Sequence, residues 1–199
     1  MNHGINALLD RARKVRAELT LPADAKMELR RDSRATVPRD PGIAASVEAA
    51  FDWIGAAQDS STSRDGGIAR HFSLITGWGA SYPETSGYIV PTLLHGHPGR
   101  PTAPHRDRAR AVLNWLAAIQ LPGGGFQGGM IGQTPVVPVT FNTGQILIGL
   151  ASGVAELGDS YRASMRAAAD WLVSTQDADG AWRKNPTPFA AEGKRFRAG

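Results

Sequence analysis

Two sequence signatures recur in step along this chain, and together they constrain its fold more than any single segment does. The first begins at a tryptophan and ends at a glutamine. It reads Trp53-Ile54-Gly55-Ala56-Ala57-Gln58, then Trp115-Leu116-Ala117-Ala118-Ile119-Gln120, then Trp171-Leu172-Val173-Ser174-Thr175-Gln176, each preceded by Asp or Asn. The second is Gly-x-Ile-x-x-x-Leu, at Gly87, Ile89 and Leu93 and again at Gly144, Ile146 and Leu150. A repeat of this length implies stacked units, each burying its apolar face against its neighbour.

The Trp/Gln segments carry helical periodicity. Ile43, Val47, Phe51 and Ile54 fall on one face, and Met165, Ala168, Ala169 and Leu172 do the same after a start signal at Asp159-Ser160. Each Gln leads to a glycine turn and a large apolar residue: Gly124 and Phe126, Gly180 and Trp182, and, after a four-residue insertion, Gly66-Gly67-Ile68. Glycine there supplies the positive φ that ends a helix, and the aromatic beyond it can fold back onto the helix end. The stretch Gly144–Leu157 is apolar or small nearly all round, with Glu156 its only charge, which predicts a helix buried on most sides. The expected helices are 43–58, 84–95, 105–120, 142–157 and 160–176, amphipathic outer ones alternating with buried inner ones.

On these residues the chain resembles a known superfamily. The Gln-x-x-x-Gly-x-Phe/Trp turns look like the repeat of the terpenoid cyclase and protein prenyltransferase α/α toroids, and the hairpins are similar to those of six-hairpin glycosidase-like barrels. The block Ser81-Tyr82-Pro83-Glu84-Thr85-Ser86-Gly87-Tyr88-Ile89 resembles uncharacterised bacterial toroid proteins associated with polysaccharide gene clusters. The resemblance implies an all-α partial α/α toroid of about two and a half hairpins. It also implies a carbohydrate-directed protein acting on a bacterial surface polysaccharide, as a lyase, epimerase or hydrolase if it is an enzyme. Toroids of this kind close with about five to seven hairpins. No apolar inner helix follows the third turn, so the expectation is an incomplete ring: a truncated or frame-shifted product, or a half completed by an oligomer or another partner. The alternatives are a terpenoid cyclase-like or prenyltransferase-like protein with an altered site, and a non-catalytic fragment or binding module. Two familiar activities of the superfamily lack their residues. There is no Asp-x-Asp-Asp cluster, and no cysteine for a prenyltransferase zinc site.

Three segments follow from composition: an amphipathic helix and charged linker over 1–42, the hairpin repeats over 43–185, and a polar basic tail over 186–199. Within the first, Ile5, Leu8, Leu9, Ala12, Val15 and Leu19 align on a helix, while Pro22, Pro38 and Pro41 mark 20–42 as linker. The net charge of +4 is gathered near the ends, at Arg11, Arg13, Lys14, Arg16, Arg30, Arg31, Arg34, Lys194, Arg195 and Arg197. These segments lack the interleaved aromatics of a nucleic-acid module and read as solvated, so a nucleic-acid partner is disfavoured. The absence of cysteine excludes disulfides and thiolate metal sites. No apolar run reaches membrane-span length and no signal core is present, so the expected location is the cytoplasm.

Glu84 is the catalytic candidate. It lies between Tyr82 and Tyr88 at the entrance to an inner helix, where a carboxyl group can work as acid or base on a sugar. The competing expectation is structural: Ser81-x-x-Glu84 matches a capping box with Pro83 in the first turn, and the helix dipole would favour the ionised carboxylate. Trp78, Tyr82 and Tyr88 are candidates for a stacking platform under a sugar ring or an isoprenoid, and His71 for a cavity residue. Asn142 and Thr143 start the second inner helix as Thr85 and Ser86 start the first, with capping preferred over substrate contact. His95, His97 and His105 have loose spacing and no accompanying carboxylates, so neither a metal nor a cofactor is expected. The run Gly123-Gly124-Gly125 lacks the Lys-Ser/Thr of a phosphate loop and reads as the interhelix turn.

Overall fold

The computed structural model describes residues 12, 15–34, 40–96 and 102–188. The described part is mainly helical: α1 (Ala23–Ser33), α2 (Ile43–Asp59), α3 (Pro83–His95), α4 (Ala103–Ile119), α5 (Thr140–Leu157) and α6 (Arg162–Thr175), the last entered through a 3-10 turn at Asp159–Tyr161. The five expected repeat helices are all present, within about two residues at either end. A small antiparallel pair, β1 (Phe72–Ser73) with β2 (Gly77–Trp78), sits in the loop before α3. No described helix is long and apolar enough to cross a membrane.

One expectation fails at the N-terminal side. Residues 15–20 are helical, as the amphipathic pattern implies, and the rest of that pattern lies outside the described residues. However, the segment read as linker contains α1. Pro22 does not interrupt it, because its carbonyl accepts the first helical N–H, from Lys26 at 2.9 Å. The run that follows is rich in helix formers, with Arg30 and Arg31 in the last turn where the dipole favours cations.

The repeat is visible in the hydrogen bonds. Gln58 Nε2 donates to the Gly66 carbonyl at 2.8 Å and to the Arg108 carbonyl of α4 at 3.1 Å. Gln120 Nε2 donates to the Gly124 carbonyl at 2.8 Å and to the Ser164 carbonyl of α6 at 2.9 Å. Each glutamine thus closes its own turn and ties it to the next outer helix. Below the turn the equivalence continues. The Ile68 N–H is held by Ser86 Oγ and the Phe126 N–H by Thr143 Oγ1, both at 2.9 Å. The glycines have the expected positive φ (Gly66 +93°, Gly124 +91°, Gly180 +86°), but they do not end the helices, contrary to the expectation from sequence. Gln120 and Gln176 are the C-caps, and the glycines shape the turn beyond them.

These turns let the next outer helix approach. A Cβ on Gly67 would come within 2.5 Å of the Trp115 ring, and one on Gly125 within 2.9 Å of the Trp171 ring. The repeated Trp is therefore a wedge under the preceding turn. Inside, α3 packs along α5, and α4 and α6 cover them. Pro91 has no N–H for the Gly87 carbonyl four residues earlier. That carbonyl faces Gly149 of α5, where an added Cβ would lie 2.3 Å away. Val90, Leu93, Leu94, Ile146 and Leu150 fill the seam with essentially no exposure.

One side of α5 departs from the buried helix that its composition implies. Phe141 is 61% exposed, Ile148 is also exposed, and among the described residues nothing lies within 4 Å of where a Cβ on Gly144 would stand. By repeat equivalence this is the face on which a third inner helix would pack. The aromatic of the third turn folds back as expected: Trp182 Nε1 donates to the Leu172 carbonyl at 2.8 Å.

Candidate functional site

The candidate site lies where the inner helices begin. Glu84 occupies the first turn of α3 and is half-buried. Asn142, in the corresponding turn of α5 and nearly fully buried, donates from Nδ2 to Glu84 Oε2 at 3.2 Å. The chain thus pairs the two sites across 58 residues of sequence. Burial pushes the Glu84 carboxyl above its ordinary value, and the Arg70 guanidinium partly offsets that rise. Arg70 itself stacks over the Tyr82 ring, its guanidinium carbon 5.0 Å from the centroid, within cation–π range.

Beside this pair runs a groove of about 210 Å³. Its walls are aromatic: Trp53 from α2, Phe72 and Trp78 from the two short strands, and Tyr88 from α3. The Trp53 and Trp78 ring centroids are 4.7 Å apart, and Phe72 meets Trp78 edge-on at 5.0 Å. Arg70, His71 and Thr85 supply the polar lining. The His71 ring lies against Gly79, where an added Cβ would be 3.0 Å from it. The volume is below the ~300–1,000 Å³ of pockets that enclose a drug-sized ligand, so the groove suits one ring-sized group resting on an open face. Glu84 does not line it; Thr85, one residue on, does.

Several sequence expectations are corrected here. Ser81 and Glu84 do not form a capping box. Tyr82 is the N-cap of α3 and no side chain caps it. Ser81 Oγ donates to Asp65 Oδ1 at 2.6 Å and lies 2.7 Å from Ser61 Oγ, so its hydroxyl is engaged in the loop below. Glu84 is thereby released from the capping role, and burial is the main cause of its raised value. Asn142 and Thr143 are not caps either: α5 begins after Val139, without a side-chain cap. Thr143 Oγ1 is committed to the fold, accepting from Phe126 and donating to the Val139 carbonyl, whereas Asn142 reaches Glu84.

Of the proposed platform, Trp78 and Tyr88 line the groove along with His71, while Tyr82 lies under Arg70. Sequence reasoning missed Trp53, Arg70 and Phe72 as wall residues. Trp53 was legible as the repeat tryptophan, but nothing in its own hairpin marks it as uncovered. Among the three histidines of the loose cluster, His105 stacks on Phe51 at 4.6 Å, His95 is exposed at the end of α3, and His97 lies outside the described residues. Among the described residues no group of three His, Cys, Asp or Glu is placed to hold a metal ion.

The chain matches no family model, no curated protein and no solved structure.

The raised Glu84 carboxyl has a measurable consequence. The folded state holds this proton more tightly than the unfolded chain does, so stability falls as pH rises from the ordinary glutamate range through the raised folded value. Glu84→Gln removes that loss, and Gln still offers an acceptor to Asn142. In urea melts the midpoint of the Gln variant relative to wild type is expected to move in the variant's favour between about pH 4 and pH 8, bracketing the ordinary glutamate value. A difference that does not change with pH contradicts the assignment.

Proposed function

We propose that this chain is a carbohydrate-directed unit of an α/α toroid, in which a sugar ring rests on the groove walled by Trp53, Phe72 and Trp78 and presents its hydroxyls to Arg70, His71 and Thr85. Sugar rings carry apolar C–H faces and a polar rim, and a stacked aromatic wall with polar groups at its edge complements both. The observation that carries the reading is the neighbouring Glu84. It is a half-buried carboxyl with its proton affinity raised, held by Asn142 beside that wall. Such a group suits proton transfer to or from a bound sugar.

Glycoside hydrolysis ordinarily uses two carboxyl groups facing one another across the bond. Among the described residues no carboxylate lines this groove, and Glu84 lies beside it without a facing carboxylate partner on its wall, which favours binding with lyase- or epimerase-type proton transfer over hydrolysis. The hairpin stacking supports the toroid, and the open side of α5 supports a ring completed by further hairpins or by a partner. The functional reading is tested by titrating oligosaccharides, neutral and acidic, into the wild type and Trp78→Ala. Saturable binding weakened about tenfold or more by the substitution is expected, as for loss of a central aromatic contact. Equal binding by both proteins contradicts it.

A further inference from the structure

The two ends of the hairpin stack are complementary to one another. At both junctions within the chain, an outer helix presents a residue, an alanine three positions on and a tryptophan four beyond that to the preceding turn. These are Arg108, Ala111 and Trp115 against Gln58, Gly66 and Gly67, and Ser164, Ala167 and Trp171 against Gln120, Gly124 and Gly125. A Cβ on Gly66 would sit 3.0 Å from the Ala111 carbonyl, and one on Gly124 2.3 Å from that of Ala167.

The first outer helix, α2, carries the same three positions as Ser46, Ala49 and Trp53. All three are exposed, Trp53 to 55%. At the other end the third turn has its glutamine and positive-φ glycine, but among the described residues no helix lies over it. Gln176 Nε2 donates to its own Gly180 carbonyl at 2.7 Å, and among the described residues only that Nε2 comes within 4 Å of a Cβ on Gly180. Val173, at the position that Gly55 holds opposite Arg108, is 70% exposed. Terminal units of a finished stack ordinarily turn a polar face outward, whereas here each end exposes a large apolar side chain, Trp53 on one and Val173 on the other.

We infer that these faces join two copies of this chain head to tail, with Trp53 of one copy seated over the Gln176–Gly180 turn of the next. The contact continues a junction that the chain already forms twice, and it rests on the stacking alone, independently of the carbohydrate reading. It is looser than the internal junctions at one point. Ala181 stands where Gly67 and Gly125 clear space for the tryptophan, so Trp53 rides higher over its turn. Because Trp53 also walls the groove, a seated copy and a bound ligand compete for one surface.

Sedimentation velocity of the full chain over a concentration series, without any glycan, tests this. Wild type is expected to associate with rising concentration, and Ala181→Gly to associate a few-fold more tightly. Trp53→Glu destroys one face and Val173→Glu the other, so each variant alone is expected to be monomeric. Their equimolar mixture is expected to form dimers and nothing larger, since one intact face remains on each. Both substitutions are at exposed positions, and circular dichroism melts verify that the variants fold. A wild type that stays monomeric overturns the inference, and so does association that survives either substitution. A folded pair that fails to complement on mixing overturns it too. A monomeric wild type is the outcome expected if the open faces receive other hairpins of a longer polypeptide.

Discussion

Gly124→Ala is expected to cost this protein much of its stability, whereas Gly180→Ala, the same change one repeat later, costs far less. Both glycines have φ near +90°, so both substitutions incur the backbone penalty of about 1–2 kcal/mol for an L-residue there. Among the described residues only Gly124 of the two has a helix above it. The added methyl would lie 2.3 Å from the Ala167 carbonyl and 3.2 Å from the Ala167 Cβ, contacts relieved only by pushing α6 off the turn. Overpacking of this kind costs a further ~1–3 kcal/mol or more. Displacing α6 also strains the Gln120 bond to Ser164, which lies in the same junction. For a chain of this size a combined loss of about 4 kcal/mol lowers the melting temperature by roughly 8–16 °C. The Gly180 variant is expected to fall by roughly half that or less. Equal losses from the two substitutions would mean that the third turn is packed as the second is, and the open end would have to be reconsidered.

The second large effect is on chemistry. Under the proposed function, Glu84→Gln removes the carboxyl that Asn142 holds at the mouth of the inner helices while leaving its shape and its acceptor for Asn142. Loss of a general acid or base of this kind lowers turnover by about 10²–10⁴-fold, because an amide cannot carry the proton. Oligosaccharide binding is expected to persist in the variant, since Trp53, Phe72 and Trp78 are untouched. Turnover equal to that of wild type would strip Glu84 of the catalytic role and leave it as the buried partner of Asn142.

The helices were legible because their signals are local. A Trp-to-Gln stretch with apolar steps of three and four needs no tertiary information, and the turn glycines repeat at fixed offsets. What the sequence did not show depends on partners distant along the chain. Ser81-x-x-Glu84 has the pattern of a capping box, but Ser81 Oγ is drawn to Asp65 and Ser61, and Glu84 to an asparagine from another hairpin. Asn142 and Thr143 are adjacent and equally suited to capping, yet one turns to Glu84 and the other holds the Phe126 N–H. The groove draws Trp53, Phe72, Trp78 and Tyr88 from three parts of the chain, and only the folded arrangement leaves Trp53 uncovered. The misreading of α1 had a different origin. Three prolines and a run of charges read as linker, although a proline at the very start of a helix, as Pro22 is here, leaves the remaining turns intact.

The most direct test of the proposed site is a backbone-amide NMR titration of the wild-type chain with an oligosaccharide that it binds. The expected shifts are confined to the groove and the inner-helix entrances: His71 to Trp78, Tyr82 to Tyr88, and Asn142, with the indole N–H of Trp53 and Trp78 among the largest. The amides of α6 and the third turn should stay still at protein concentrations low enough to keep the chain monomeric. Shifts centred on the third turn or on the open face of α5, with the Glu84 region unmoved, would contradict the account.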